Sequence, residues 1–207
     1  MKTYILGIDI STAVIGFAVM TVDHKLITYD KLKFKKDLTL EQRAEYFKNK
    51  VKSIDSYYCI SEVFVEQPAM MFGRGKTTAN TMSKLQRFNG MCCYAIYDLL
   101  KVQAGMVHPN SARKKMNISI PRNVLNKKHF IIDEVKKKYP KFNYKLTRYG
   151  NPQPGTDDIA DAIVVAYAGV CIYNEGNNDN GENKDSKWCP RISKKTKFRT
   201  SLYLSIL

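Results

Sequence analysis

The sequence predicts an α/β domain built on a mixed five-stranded sheet, three antiparallel strands followed by parallel ones, with helices on both faces. Three observations predict it. Residues 3–35 hold three successive strand-like runs with short turns between them. Strand and helix patterns then alternate to about residue 173. Antiparallel strands followed by strand–helix alternation give a mixed sheet covered on two sides.

Residues 3–10 form an apolar strand that ends at Asp9, Ser11-Thr12 turn the chain, and residues 14–22 form the second strand. Residues 25–35 alternate apolar and polar positions, as a strand with one solvated face does. Thr39, with Gln42 three residues on, predicts a capped helix over 40–56. Ile60–Glu66 is the next strand, stopped by Pro68. Residues 69–78 contain two glycines and the cations Arg74 and Lys76, which mark a basic loop. A helix over 79–101 carries two apolar stripes, Leu85-Phe88-Cys92-Ala95-Leu99 and Met82-Cys93-Ile96-Leu100. Two stripes suggest burial on two sides, one against the sheet and one against a partner subunit. A short strand at 104–108 precedes the basic stretch Arg113-Lys114-Lys115. Helices over 124–139 and 156–173 follow, separated by a Gly/Pro-rich loop at 147–156. The folded domain is thus 1–173. Residues 174–207 read as a polar linker and a basic tail, because 174–186 contain no apolar residue.

Lys and Arg total 34 against 19 Asp and Glu, a net charge of +15. The segment from 174 carries seven cations and four anions, so the domain itself keeps 15 − 3 = +12. A basic domain points to a polyanionic partner, nucleic acid first. The five cysteines form no CxxC pair, which argues against a zinc site or a disulfide framework and fits a reducing, cytoplasmic compartment. No signal-peptide pattern opens the chain, and no continuous apolar run predicts a membrane span.

Within that basic domain the acids are placed unevenly. Asp9 and Glu66 each end a strand, and Asp157, Asp158 and Asp161 occupy the first turn of a helix. Asp161 shares a face with Asp157 or Asp158. Strand ends and a helix start can meet at one sheet edge, where mutually repelling carboxylates call for a cation. Oxygen ligands without His or Cys favour magnesium, with manganese able to substitute. Two such ions would clamp a scissile phosphate, and the reading is a metal-dependent phosphodiesterase. Lys127 or Lys128 would stabilise phosphate charge. Phe72, with the cations Arg74 and Lys76 close after it, would stack on a base, and Arg113, Lys114 and Lys115 would contact phosphates. His108 and His129 read as structural.

These segments resemble RuvC-type Holliday junction resolvases of the RNase H-like superfamily, bacteriophage or viral members most. Gly7-Ile8-Asp9-Ile10-Ser11 with Gly16-Phe17-Ala18-Val19 looks like the family's first motif, Val63–Gln67 like its second, and Asp157-Asp158-Ile159-Ala160-Asp161-Ala162 like its last. Val107–Lys114 resembles the segment before the basic helix, and Lys127 and Lys128 fall where the family carries a catalytic lysine. The resemblance implies Asp9, Glu66, Asp161 and one of the doubled Asp157-Asp158, the three-residue spacing favouring Asp158, as ligands to two magnesium ions. It further implies a homodimer that cuts four-way junctions, leaving 5′-phosphate and 3′-hydroxyl ends. An RNase H-like nuclease of RNA–DNA hybrid or other nucleic acid, and a non-catalytic junction-binding protein, are the alternatives. A sugar-kinase or actin-like ATPase shares the Gly-Ile-Asp-x-Ser opening but needs a second such motif, which this sequence lacks.

Overall fold

The structure, a computed structural model, describes residues 2–68 and 78–179. Strands β1 (Tyr4–Ile10), β2 (Val14–Thr21), β3 (Leu26–Lys33), β4 (Glu62–Glu66) and β5 (Gly105–Val107) form one sheet in the order β3-β2-β1-β4-β5. The first three strands run antiparallel, and β4 and β5 join parallel, as the sequence predicts. Helices α1 (Leu40–Tyr58) and α2 (Ala79–Leu100) cover one face; α3 (Pro109–Lys115), α4 (Lys127–Lys138) and α5 (Thr156–Asp179) cover the other.

Local chemistry sets the boundaries. Ser11 Oγ accepts from Val14 N–H at 3.0 Å and ties the β1–β2 turn. Thr39 and Gln42 form the expected reciprocal capping box on α1. The side chain of Asn126 accepts from the N–H groups of Lys128 and His129, which starts α4 at Lys127 rather than at 124.

Alternation along the strands sorts side chains to two cores. Leu6, Ile8, Phe17, Val63 and Val65 pack under α1 and α2. Ile5, Ala18, Met20, Phe64 and Val107 pack under α3–α5. Asp9 and Glu66 follow the second parity, so both project toward the α5 side. Helix α5 lies directly on the sheet there because small residues meet. A Cβ on Gly7 would come within 2.3 Å of the Ala166 nitrogen and 2.5 Å of the Ala162 oxygen. A Cβ on Gly16 would fall 1.9 Å from the Asp158 carbonyl oxygen. Residues 156–177 are apolar enough to cross a membrane by composition, and they owe this to their place as the central, largely buried helix.

Three expectations are corrected. Helix α3 replaces the irregular basic stretch, with His108 as N-cap and Pro109 in its first turn. Helix α5 does not stop at 173: Asn174 donates to the Val22 carbonyl at 3.0 Å, and Glu175 pairs with Lys115 at 2.7 Å. These bonds hold a further polar turn and a half to the domain. The two stripes of α2 turn to one side, with Phe88, Cys92, Ala95, Ile96 and Leu100 buried inside the chain. Met82, Ile96 and Leu100 of the second stripe are covered within the chain, whereas Cys93 is half-buried. Residues 180–207 lie outside the described residues.

Candidate active site

The acidic residues gather at the carboxyl end of β1 and β4. The two strands are parallel neighbours, paired through Ile8 and Val65, so Asp9 and Glu66 are the next positions on adjacent strands. Asp9 also pairs across β2 with Gly16, the residue on which the α5 backbone rests at Asp158. The glycine contact therefore sets the first turns of α5 beside Asp9. All five carboxylates, Asp9, Glu66, Asp157, Asp158 and Asp161, are partly buried.

Their proton affinities show the strain of that grouping. Burial, then the charges of Glu66, Asp161, Asp158 and Asp157, push Asp9 well above the usual carboxylate range. Glu66 is raised to about 7 by burial and by Asp161, against the opposing pull of Arg113. Asp158 is raised to about 6 by burial and by Asp157. Asp161 is raised by burial in spite of Arg113. Asp157 alone falls: burial would raise it, but the Lys128 hydrogen bond and charge outweigh that effect. The doubled Asp157-Asp158 is thereby divided. Asp157 is neutralised by a lysine, while Asp158 stays with the unneutralised group.

Two cations border the cluster. Lys128 donates to Asp157, whereas Lys127 is exposed and forms no ion pair among the described residues. Arg113 Nη2 stands 3.8 Å from Asp161 Oδ1, too far for a hydrogen bond, and that buried oxygen has no hydrogen-bond partner. Arg113 thus borders the carboxylate cluster. Lys114 is exposed. Lys115 turns away to Glu175, fourteen residues along α5 from Asp161 and so about 21 Å distant along the axis. His108 caps α3 through Nδ1, accepting from Asn110 N–H at 3.2 Å. Phe72, Arg74 and Lys76 lie outside the described residues. Among those residues, no three acidic, His or Cys side chains close around one point as they stand. Lys128 draws Asp157 aside, and Asp161 faces Arg113.

Sequence reasoning missed Gly7, Gly16, Ala162 and Ala166 as positioning residues. Their signal was present as small residues inside strand and helix patterns, but the partner of each could not be read from one chain.

Fold and site define the class: an RNase H-like α/β domain with its acids at one end of the central strands. No family model and no curated protein matches the chain in sequence. Solved structures do match. Thermus thermophilus RuvC in complex with a Holliday junction substrate superimposes with a TM-score of 0.62 at 16% identity, over 84% of this chain and 96% of that one. The Thermus thermophilus RuvC structure gives 0.60 at 16% identity, over 84% and 97%. The yeast mitochondrial Holliday junction resolvase Ydc2 gives 0.55 at 14% identity, over 81% and 78%. Within its class, the chain has the RuvC-type fold.

Proposed function

We propose that this chain is a metal-dependent, structure-selective DNA endonuclease that resolves four-way junctions and cuts related branched DNA. The observation that carries the reading is the set of Asp9, Glu66, Asp158 and Asp161, raised in proton affinity and gathered at one sheet edge of a RuvC-type fold. Natural cores do not retain such a set without a counter-charge. The residues fit hard divalent cations: every donor is a carboxylate oxygen, and Asp161 Oδ1 is buried without a hydrogen-bond partner. Asp9, Glu66, Asp158 and Asp161 would hold two magnesium or manganese ions. When bound, such ions would polarise the scissile phosphate and favour water attack, leaving 5′-phosphate and 3′-hydroxyl ends.

The chain's own cations complete the site. Lys128 withdraws Asp157 from the ligand set and carries positive charge to the rim. Arg113 balances Glu66 and Asp161 from the other side. A strand whose phosphate enters between them would meet positive charge on both flanks. Two copies of the chain, each nicking one strand, would resolve a junction symmetrically.

The test is cleavage of a synthetic four-way junction, a flap, a linear duplex and an RNA–DNA hybrid, with and without magnesium. Junction cutting that Asp9→Asn and Glu66→Gln abolish, with binding retained, is the expected result. Cutting of the hybrid alone would reject the resolvase reading. Cutting by both variants would reject the site.

A further inference from the structure

Between β3 and the active site stands a small hairpin that the chemistry above does not use. Gln153 N–H donates to Lys145 O at 3.0 Å, Thr147 N–H to Asn151 O at 2.7 Å, and Gly150 N–H to Thr147 O at 3.0 Å. Leu146 bridges Pro152, and Gly150 takes a φ of +76° at the turn. The tip is Arg148-Tyr149. The Arg148 guanidinium lies 4.5 Å from the Tyr149 ring centre, and Tyr149 is 72% exposed. One ring face is thus backed by a cation while most of the side chain meets solvent.

The hairpin's foot is fixed beside the carboxylates. Asp9, Gly16 and Lys31 occupy one row across β1, β2 and β3, so Lys31 is two strand spacings, about 10 Å, from Asp9 along that row. Lys31 Nζ donates to the Pro154 carbonyl, and a Cβ on Gly155 would press on Lys31 and Val14. Two residues later α5 begins, carrying Asp157 and Asp158. From this foot the tip projects three or four residues, about 10–13 Å. The segment that carries it is basic: residues 135–156 contain six Lys and Arg and no acid, with acids only at its two borders, Asp133-Glu134 and Asp157-Asp158.

We propose that the hairpin tip is a nucleic-acid contact beside the cleavage site, with Tyr149 stacking on an unpaired or splayed base and Arg148 meeting the adjoining phosphate. The inference rests on the nuclease reading and adds a second, base-facing element to it. An aromatic ring in basic surroundings suits a base exposed at a branch point, whereas bases inside a linear duplex already stack on each other. A protruding, internally bonded hairpin also holds its ring ready, so little ordering is needed on binding.

The full-length chain in EDTA, where it does not cut, is titrated against a four-way junction with 2-aminopurine at the branch point and against a linear duplex. Tyr149→Ala should weaken junction binding about tenfold with the salt slope unchanged, and should abolish the 2-aminopurine response. Tyr149→Phe should bind within twofold of the parent chain. Arg148→Ala should lower the salt slope by about one. Melting temperatures verify that the exposed substitutions leave the fold intact. Tyr149→Ala binding the junction within twofold of the parent chain would overturn the proposal, as would equal losses in Tyr149→Ala and Tyr149→Phe. The two readings fail separately. A chain that cuts nothing with magnesium, yet loses junction affinity on Tyr149→Ala, keeps the hairpin contact and loses the nuclease.

Discussion

Replacing Glu66 with Gln should stabilise the metal-free protein while it disables the proposed cleavage. Glu66 is partly buried, and burial and Asp161 hold its proton on to about 7, against 4.5 for a free glutamate. As pH rises through about 4.5 the unfolded carboxyl ionises first, and the folded one follows only near 7. Between these values the folded state binds more protons, so stability falls as pH rises. At about 1.36 kcal/mol per decade of proton affinity, the ionised group costs about 3 kcal/mol above pH 8. Arg113, which favours the charged form, would lose its partner in Glu66→Gln, so a net gain of about 2 kcal/mol is expected. For a domain of this size that is a rise in Tm of roughly 4–8 °C. Thermal melts in EDTA followed by circular dichroism measure it. The gain should be full at pH 8 and largely absent at pH 4.5, where the folded carboxyl is protonated and the unfolded one only half ionised. A variant no more stable than the parent chain at pH 8, or one that gains as much at pH 4.5, would refute the electrostatic reasoning.

The same sign applies to the unmodified chain. Its metal-free stability should decline from pH 4.5 to 8, as Glu66 and Asp158, at about 7 and about 6, ionise in a cluster. Magnesium at one hundred times its Kd should restore about 2.7 kcal/mol at pH 8, read by differential scanning calorimetry, and a flat response would exclude the proposed ligand set. Lys128→Ala should reduce cutting at saturating magnesium by roughly 100-fold, and Lys127→Ala by less than threefold; equal losses in a single-turnover assay would contradict the geometry. Gly16→Ala forces the α5 backbone off β2 and should cost on the order of 3 kcal/mol in urea melts, with cutting lost as well. Truncation after residue 173 removes the Asn174–Val22 bond and the Lys115–Glu175 pair, and should cost about 1 kcal/mol with cutting retained.

The placement of Asp9 and Glu66 was legible in the sequence because each ends an apolar run, and an acid there must face either solvent or a site. The sheet was legible for the same reason: period-two patterning and capping chemistry act within a few residues. Helix α3 was not, since seven residues hold too few apolar positions to show a period, and only the His108-Pro109 start marked it. The end of α5 was misread because Asn174 and Glu175 are polar and find their partners, Val22 and Lys115, far away in sequence. The choice between Lys127 and Lys128 was equally hidden. It depends on which side of α4 faces Asp157, and Asn126 sets that by capping the helix one residue before Lys127.

Fold and chemistry meet in the seam of small residues between β1, β2 and α5. A helix carrying three acids has no electrostatic reason to approach a strand that ends in a fourth. It comes close because Gly7 and Gly16 leave no side chain to hold it away, and because Ala162 and Ala166 bring its backbone within van der Waals reach of the sheet. Ile159, Ile163, Val164, Val165 and Val170 of α5 are buried, and their burial at roughly 25 cal/mol per Å² outweighs the repulsion at its first turn. The apolar length of α5 thus drives the packing, the glycines set its distance, and the repulsion that remains is concentrated where a divalent cation would relieve it. On this argument the spacing of the site is set by backbone contact rather than by the carboxylates themselves. Asp158→Asn should therefore leave α5 in place and weaken only metal binding, whereas Gly16→Ala should move the helix and impair both. Magnesium titration by isothermal calorimetry beside urea melts separates the two, and an Asp158→Asn variant with a loosened fold would show that the carboxylates, not the seam, hold the helix.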